Sequence, residues 1–194
     1  IGPAHRLGAQ ADGLFKFTAG ALDHRPEEGR KYAQSLGVDI ERAYGNWQEM
    51  LENEIKREDR IDLVTVATPN DTHFQITKEF LSAGFNVLCE KPMTMSVEEG
   101  EEIVNIAQKS GKICAVNYAY SAYPMVRQAR AMVRSGEIGK VRLVVTNFSH
   151  GHHSNQSDAD NPRVRWRYDP TIAGVSGQFA DCGIHALHLS LIHI

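Results

Sequence analysis

The sequence has 194 residues, is 42% hydrophobic and 23% charged, and carries a formal net charge of -3 with a pI near 6.3. These values exclude a disordered, collagen-like or coiled-coil chain. A chain of this length forms one large domain or two small ones and can bury roughly 70% of the surface its unfolded form exposes. The mild acidity offers no long-range field for nucleic acid and no basic face for a membrane. No apolar run approaches the roughly 20 residues that span a bilayer, and Ile1 to Arg6 lack the charged-then-apolar order of a signal peptide. Cys89, Cys114 and Cys182 are odd in number and far apart, which predicts reduced thiols in a cytoplasmic protein rather than a disulfide framework or a zinc site.

Taken in chain order, Pro3 to Asp12 predicts a short helix and Phe15 to Leu22 a strand. Pro26 to Leu36 reads as a helix opened by Pro and acids and stopped by Gly37. Asn46 is placed to cap a helix running to Lys56 with Trp47, Met50, Leu51 and Ile55 at helical spacing. Ile61 to Ala67 is a nearly continuous β-branched run of the kind buried on both faces of a parallel sheet. A helix from Asn70 or Asp71 to Ala83 follows, then a strand at Asn86 to Glu90. Ser96 and Glu99 form a capping box for a helix to Lys109, and Lys112 to Tyr118 is the next strand. This alternation predicts an α/β fold with a doubly wound parallel sheet.

Beyond residue 118 the pattern loosens. Tyr123 to Ser135 predicts a helix with Met125, Val126, Ala129, Met132 and Val133 on one face, followed by a strand at Val141 to Phe148. Ser149 to Arg165 is polar and aperiodic, and so long an irregular stretch covers a site or is mobile. From Gln178 an apolar helical pattern runs to the end, where Leu189 to Ile194 depart from the expected continuation. There is no initiator Met, and residue 1 falls inside a motif, so the expected parent frame extends on both sides.

In a dinucleotide-binding βαβ unit, a third glycine packs the first helix against the first strand, and an acid about 20 residues on takes the ribose hydroxyls. Gly2 and Asp23 have that spacing, Asp23 at the end of a predicted strand. A turn glycine and a surface Asp are the alternative reading. Two polar triplets then fall at successive strand ends: Thr68-Pro69-Asn70, with His73 beyond it, and Glu90-Lys91-Pro92. Ligands of open α/β sheets bind outside the carboxyl ends of the strands. Asn117 and Tyr118 close the last of these strands.

Ile1-Gly2-x-x-His5, Ala67-Thr68-Pro69-Asn70 with His73, Glu90-Lys91-Pro92, Ser135-Gly136-Glu137-Ile138-Gly139 with Val141-Arg142, and Asp181-x-Gly-x-His185 occur in a telling order. In that order the chain resembles the glucose-fructose oxidoreductase and inositol dehydrogenase (Gfo/Idh/MocA) family. The resemblance implies an NAD(P)-binding Rossmann domain over residues 1-118, incomplete at its first strand. It also implies the start, over 119-194, of a C-terminal α/β domain with an open, mostly antiparallel sheet. The implied activity is hydride transfer between NAD or NADP and a secondary alcohol or carbonyl of a sugar, polyol or related compound. The implied partners are a sugar-like small molecule and further copies of the parent chain, with no nucleic acid and no membrane. Activity is expected of the parent; it is left open for the chain by itself.

On this resemblance Gly2, His5, Asp23, Thr68, Pro69, Asn70, His73, Glu90, Lys91, Pro92 and Asn117 become cofactor-binding candidates. Asp23 favours NAD because its charge repels a 2′-phosphate, whereas Arg25 could pair with that phosphate and keeps NADP open. An ammonium at Lys91 can hydrogen-bond the reacting oxygen; a surface lysine before a proline turn is the plainer reading. Pro92 is expected in the cis form, aiming Lys91. Asp181 and His185, at i and i+4, share a helix face, so the carboxylate is expected to orient the imidazole and stabilise its protonated form while His185 takes the hydroxyl proton. A helix-start Asp and a core His are the alternative. Trp166 and Arg167, in a Trp-Arg-x-Asp-Pro segment, and Tyr118 are substrate candidates; Ala119 stands where the family often has a basic residue.

His150, His152 and His153 with Asp158 and Asp160 lack a second well-spaced cluster, so a solvated loop is preferred to a metal site. Two rivals to the redox reading are a nucleotide-binding regulatory protein of the same fold, which has no need of Lys91, Asp181 and His185 together, and a metal hydrolase built on the histidine loop.

Overall fold

The computed structural model describes residues 2-149, 151, 160-162 and 164-191. His150, His152, His153 and Asp158 of the histidine loop, Ile1 of the opening motif and the last three residues lie outside the described residues. The chain divides into two compact units. The first comprises Ile1–Ala67, Gln75–Leu88 and Ile103–Cys114; the second comprises Thr68–Phe74, Cys89–Glu102 and Ala115–Ile194.

Local chemistry at their first turns sets several of the helices. After α1 (Gly2–Gln10), helix α2 (Pro26–Ser35) opens on proline, whose fixed φ suits a first turn, and carries Glu27 and Glu28 at its positive end. Helix α3 (Trp47–Glu54) starts where the Asn46 side chain accepts the Glu49 N–H at 2.8 Å. Then come β1 (Leu63–Val66), α4 (Asn70–Ser82), β2 (Asn86–Cys89), α5 (Val97–Ser110) and β3 (Cys114–Val116). At the start of α5 the Ser96 hydroxyl accepts from the Glu99 N–H at 3.2 Å, and the Glu99 carboxylate accepts from the Met95 N–H at 2.9 Å. The strands form one sheet in the order β1-β2-β3. Val87 donates to the Ile113 carbonyl at 2.9 Å and Asn117 to the Cys89 carbonyl at 2.8 Å, so the pairing advances in the same direction on both strands, as a parallel ladder does.

Two knots of buried side chains hold the first unit. Ala33, Val38 and Ala43 pack with Phe17 and Leu22 around α2. Phe80, Leu81 and Phe85 are fully buried where α4 turns into β2, with the Phe80 and Phe85 rings edge to face at 5.6 Å. Between these elements the fully buried Glu54 takes Arg42 Nε at 2.9 Å, Arg42 Nη2 at 2.6 Å, the Tyr44 hydroxyl at 2.9 Å and the Ile61 N–H at 3.1 Å. The negative charge beside it, together with burial, pushes the Tyr44 hydroxyl up to about 12, burial being the larger cause.

The second unit holds a 3-10 turn (Ala119–Ala122), helix α6 (Pro124–Ser135), a 3-10 turn (Arg165–Tyr168) and the short helix α7 (Pro170–Ala173). It closes on a π turn (Phe179–Gly183) that runs into α8 (Ile184–Ser190). Gly136 ends α6 in the left-handed region at φ 77°. All three cysteines carry free thiols. Among the described residues no helix is long and apolar enough to cross a membrane.

Three expectations are corrected. The segment 15-22 is not a strand: its pairing is a single parallel bridge between Gly20 and Ala43, and one bridge does not make a ladder. The run 61-67 is not buried on both faces; Val64 and Val66 are buried while Thr65 between them is exposed, an alternation that packs one face. Residues 141-148 form no strand, since no described segment pairs with them, and Leu143 and Val145 stand exposed. The apolar face of α6 is likewise open, Met125 being 77% exposed and no residue of the helix buried.

Arg42→Ala leaves the Glu54 carboxylate buried without its cation. A loss of about 3–5 kcal/mol follows from an uncompensated buried charge, and a urea melt of the variant against the parent measures it.

Candidate active site

The strand ends of the second unit supply the polar residues. Lys91 follows β2, and the Lys91–Pro92 bond is cis, as expected from the sequence. The Lys91 ammonium reaches the π turn, donating to the Asp181 carboxylate at 2.7 Å and to the Asp181 carbonyl at 2.6 Å. The other carboxylate oxygen lies 3.3 Å from Arg167 Nε, and the Arg167 guanidinium covers the Trp166 ring at 4.5 Å. One carboxylate therefore sits between two cations, and the Lys91 side chain is only 12% exposed.

The π turn explains why Asp181 and Gly183 occur together. A π turn inserts an extra residue into a helical register and re-aims what it carries. A Cβ at Gly183 would meet the Phe179 ring at 2.6 Å, so glycine is what lets the widened turn close on that side chain. His185, one turn on in α8, lies edge-on to Tyr120 at 4.6 Å and tilted against Phe148 at 5.5 Å. Burial, and next the positive charge of Lys91, hold the His185 imidazole below the usual histidine value; the Asp181 and Glu90 carboxylates push the other way and are outweighed. Asp181 thus favours a protonated His185 as expected from the sequence, but burial and Lys91 outweigh it. The site favours a neutral imidazole, which is the form that accepts a proton.

Several cofactor candidates turn out to bind the protein itself. The buried Asn70 amide donates to the Ala173 carbonyl at 3.0 Å. Glu90, also buried, accepts from the Asn117 amide at 2.7 Å and from the Lys91 N–H at 3.2 Å. His73 is 1% exposed, with Nδ1 2.7 Å from the Pro92 carbonyl oxygen and Nε2 2.8 Å from that of Thr68. Thr68 and Pro69 remain exposed at the end of β1. These residues frame the strand ends, and Thr68 and Pro69 offer the open surface there.

Gly2, His5, Asp23 and Arg25 belong to the first unit. Gly2 and His5 are on α1, which buries nothing. Asp23 is chelated by Arg25, whose backbone N–H, Nε and Nη2 lie 2.9, 3.0 and 3.2 Å from its oxygens. The Arg25 side-chain bonds are the main reason the Asp23 carboxyl is held down to about 2. The backbone of α2 abuts Asp23: a Cβ at Gly29 would meet the Asp23 nitrogen at 3.1 Å.

Sequence reasoning missed the aromatic surround of His185 and the stacking of His188 on Tyr118, whose rings are 4.0 Å apart and nearly parallel. Burial pushes the Tyr118 hydroxyl up and the His188 imidazole down. The signal was present: His188 stands at i+3 from His185 on one helix, and Tyr120 at i+2 from Tyr118. Arg167 was expected at the substrate; the structure pairs it with Asp181.

Helix-linked parallel strands with polar carboxyl ends define a nucleotide-binding α/β protein. Residues 3–118 match the family model described as an oxidoreductase family with an NAD-binding Rossmann fold, and residues 126–193 match the GFO/IDH/MocA C-terminal domain. The chain belongs to the Gfo/Idh/MocA oxidoreductase family. It is 42% identical over 192 residues to YfiI of Bacillus subtilis, an uncharacterized oxidoreductase, covering 98% of this chain and 49% of that protein. The crystal structure of an inositol dehydrogenase homolog from Azotobacter vinelandii complexed with NAD+ matches with a TM-score of 0.95 at 42% identity, over 100% of this chain and 50% of that one. A second Azotobacter vinelandii structure, complexed with NADH and myo-inositol, gives 0.90 at 40% identity, over 100% and 49%. The chain spans about half the length of the curated relatives it matches.

The electrostatic order at His185 is open to titration. Lys91→Met removes a cation that opposes protonation and raises the His185 midpoint; Asp181→Asn removes a carboxylate that favours it and lowers the midpoint further. Histidine chemical shifts followed from pH 4 to pH 8 read both directions.

Proposed function

We propose that the whole protein is an NAD(P)-dependent dehydrogenase acting on a CH–OH group of a sugar, an inositol-like polyol or a related compound. The observation that carries this is the convergence of Lys91, Asp181 and Arg167, with a near-neutral His185 under the influence of the same charges. Family membership and the likeness to inositol dehydrogenase homologs holding NAD+, or NADH with myo-inositol, support it. A nucleotide-binding regulatory protein would not need a buried ammonium held by a carboxylate at a strand end. The proposed division is a Rossmann domain over 1-118 and the beginning of a C-terminal domain with an open, mostly antiparallel sheet, supported by where the two family models match.

The residues present fit a dinucleotide. Exposed Thr68 and Pro69 end a parallel strand, where such ligands lie, and Asp23 offers its carboxylate to ribose hydroxyls. When bound, nicotinamide supplies the hydride acceptor or donor. Lys91 hydrogen-bonds the substrate oxygen through Nζ and stabilises negative charge that develops there. Asp181 and Arg167 keep that ammonium aimed. His185 takes the hydroxyl proton on a ring nitrogen during oxidation and returns it during reduction; its lowered pKa leaves it free to accept at neutral pH. Trp166 and Tyr118 line the substrate side.

Full-length protein offered NAD+ and a polyol panel that includes myo-inositol is expected to generate the reduced-nicotinamide absorbance band. Lys91→Met and His185→Ala are each expected to lower kcat by about a hundredfold or more while NADH still binds. No reduced nicotinamide with any panel member, in the presence of demonstrated NADH binding, would favour the regulatory reading.

Asp23 favours NAD, since its carboxylate repels a 2′-phosphate, while the adjacent Arg25 keeps NADP open. In a binding titration NAD+ is expected to bind more tightly than NADP+. Asp23→Ala is expected to narrow that ratio by about tenfold, the size of one charged contact.

A further inference from the structure

We infer that His73 is not a cofactor ligand but a positioning residue, whose ring bridges the loop after β1 and the loop carrying Lys91. The inference rests on the proposed dehydrogenase reading for its kinetic consequence, though not for its geometry.

The geometry leaves the ring little else to do. His73 is 1% exposed, so a ligand cannot reach its nitrogens without displacing what covers them. Both nitrogens are already used, Nδ1 at 2.7 Å from the Pro92 oxygen and Nε2 at 2.8 Å from the Thr68 oxygen. Each acceptor is a backbone carbonyl, which has lone pairs and no hydrogen to give. Whichever nitrogen carries the hydrogen, the ring is seated between the backbone carbonyls of two different loops.

The two carbonyls belong to the segments that matter. Thr68 opens the exposed end of β1, and Pro92 immediately follows Lys91, whose ammonium grips Asp181. The Thr72 hydroxyl, one residue before His73, reinforces the same loop by hydrogen bonding the Thr68 hydroxyl at 2.6 Å and the Pro69 carbonyl at 2.7 Å. Helix α4 thus acts as the rigid base from which one ring holds both strand-end loops. Placement errors of about an ångström at a reacting group cost large factors in rate, and His73 sets the backbone from which Lys91 extends.

The test has two arms on the full-length protein. In the first, 15N-histidine-labelled protein is examined by NMR, the His73 signals being assigned by their loss in His73→Gln. A His73 ring N–H shielded from solvent exchange is expected; a ring N–H exchanging as fast as that of an exposed histidine overturns the buried bridge, whether or not the protein proves to be a dehydrogenase. In the second arm, His73→Phe keeps a ring and removes both nitrogens, while His73→Gln keeps one donor group. His73→Phe is expected to lower kcat for myo-inositol, or for whichever panel member is oxidised, by at least tenfold, with the NADH dissociation constant changed less than threefold and with partial recovery in His73→Gln. If His73→Phe does not fold, His73→Gln alone is expected to show the smaller kcat loss at unchanged NADH affinity. An unchanged kcat in a folded variant, or weakened NADH binding at unchanged kcat, overturns the positioning role. Absence of turnover in the parent protein rejects the dehydrogenase reading and leaves the first arm to decide whether the ring is held between the two loops.

Discussion

A carboxylate held between an ammonium and a guanidinium is the contact on which the rest of the site depends. Asp181 takes Lys91 at 2.7 Å and Arg167 at 3.3 Å, with Lys91 largely shielded from solvent. The acid gives the shielded Lys91 side chain both a carboxylate and a carbonyl to donate to, which fixes where its ammonium points. The same ammonium lowers the proton affinity of His185, whose burial already does so. One interaction thus sets the character of two groups: a cationic donor and a neutral acceptor.

Backbone architecture delivers these groups. Parallel strands end in the same direction, so the ends of β1 and β2 present Thr68-Pro69 and Glu90-Lys91 together. Buried side chains then fix each loop from below: His73 on the Thr68 and Pro92 carbonyls, Glu90 on Asn117 and on the Lys91 N–H, Asn70 on Ala173. The π turn supplies Asp181 from the other side of the sequence. The polar residues that the sequence offers as ligands hold, in these three cases, the loops on which they stand.

The parts legible in the sequence were those governed by local rules. Helices α2 to α5 carry their own periodicity, and Asn46 and Ser96 cap α3 and α5 as their side chains predict. The strand-end triplets were visible because a β-branched run followed by polar residues has one common meaning in α/β folds. Strands that depend on distant pairing were not: 15-22 and 141-148 have suitable side chains, yet a strand is defined by its neighbour, and the described residues provide none beyond the Gly20 bridge. The ion-pair partners of Asp181 were not legible for a related reason. The i, i+4 spacing to His185 is visible in one dimension, whereas Lys91 and Arg167 reach it only through the fold and the widened turn re-aims it.

Coupling between Lys91 and Asp181 is the central claim, and a double-mutant cycle on kcat/KM measures it directly, comparing Lys91→Met, Asp181→Asn and the pair. If the carboxylate acts by holding the ammonium, the double variant is hardly worse than Lys91→Met alone, because the second change removes a partner that no longer has work to do. Losses that multiply, each single effect appearing in full in the double variant, would show two independent groups and contradict the account.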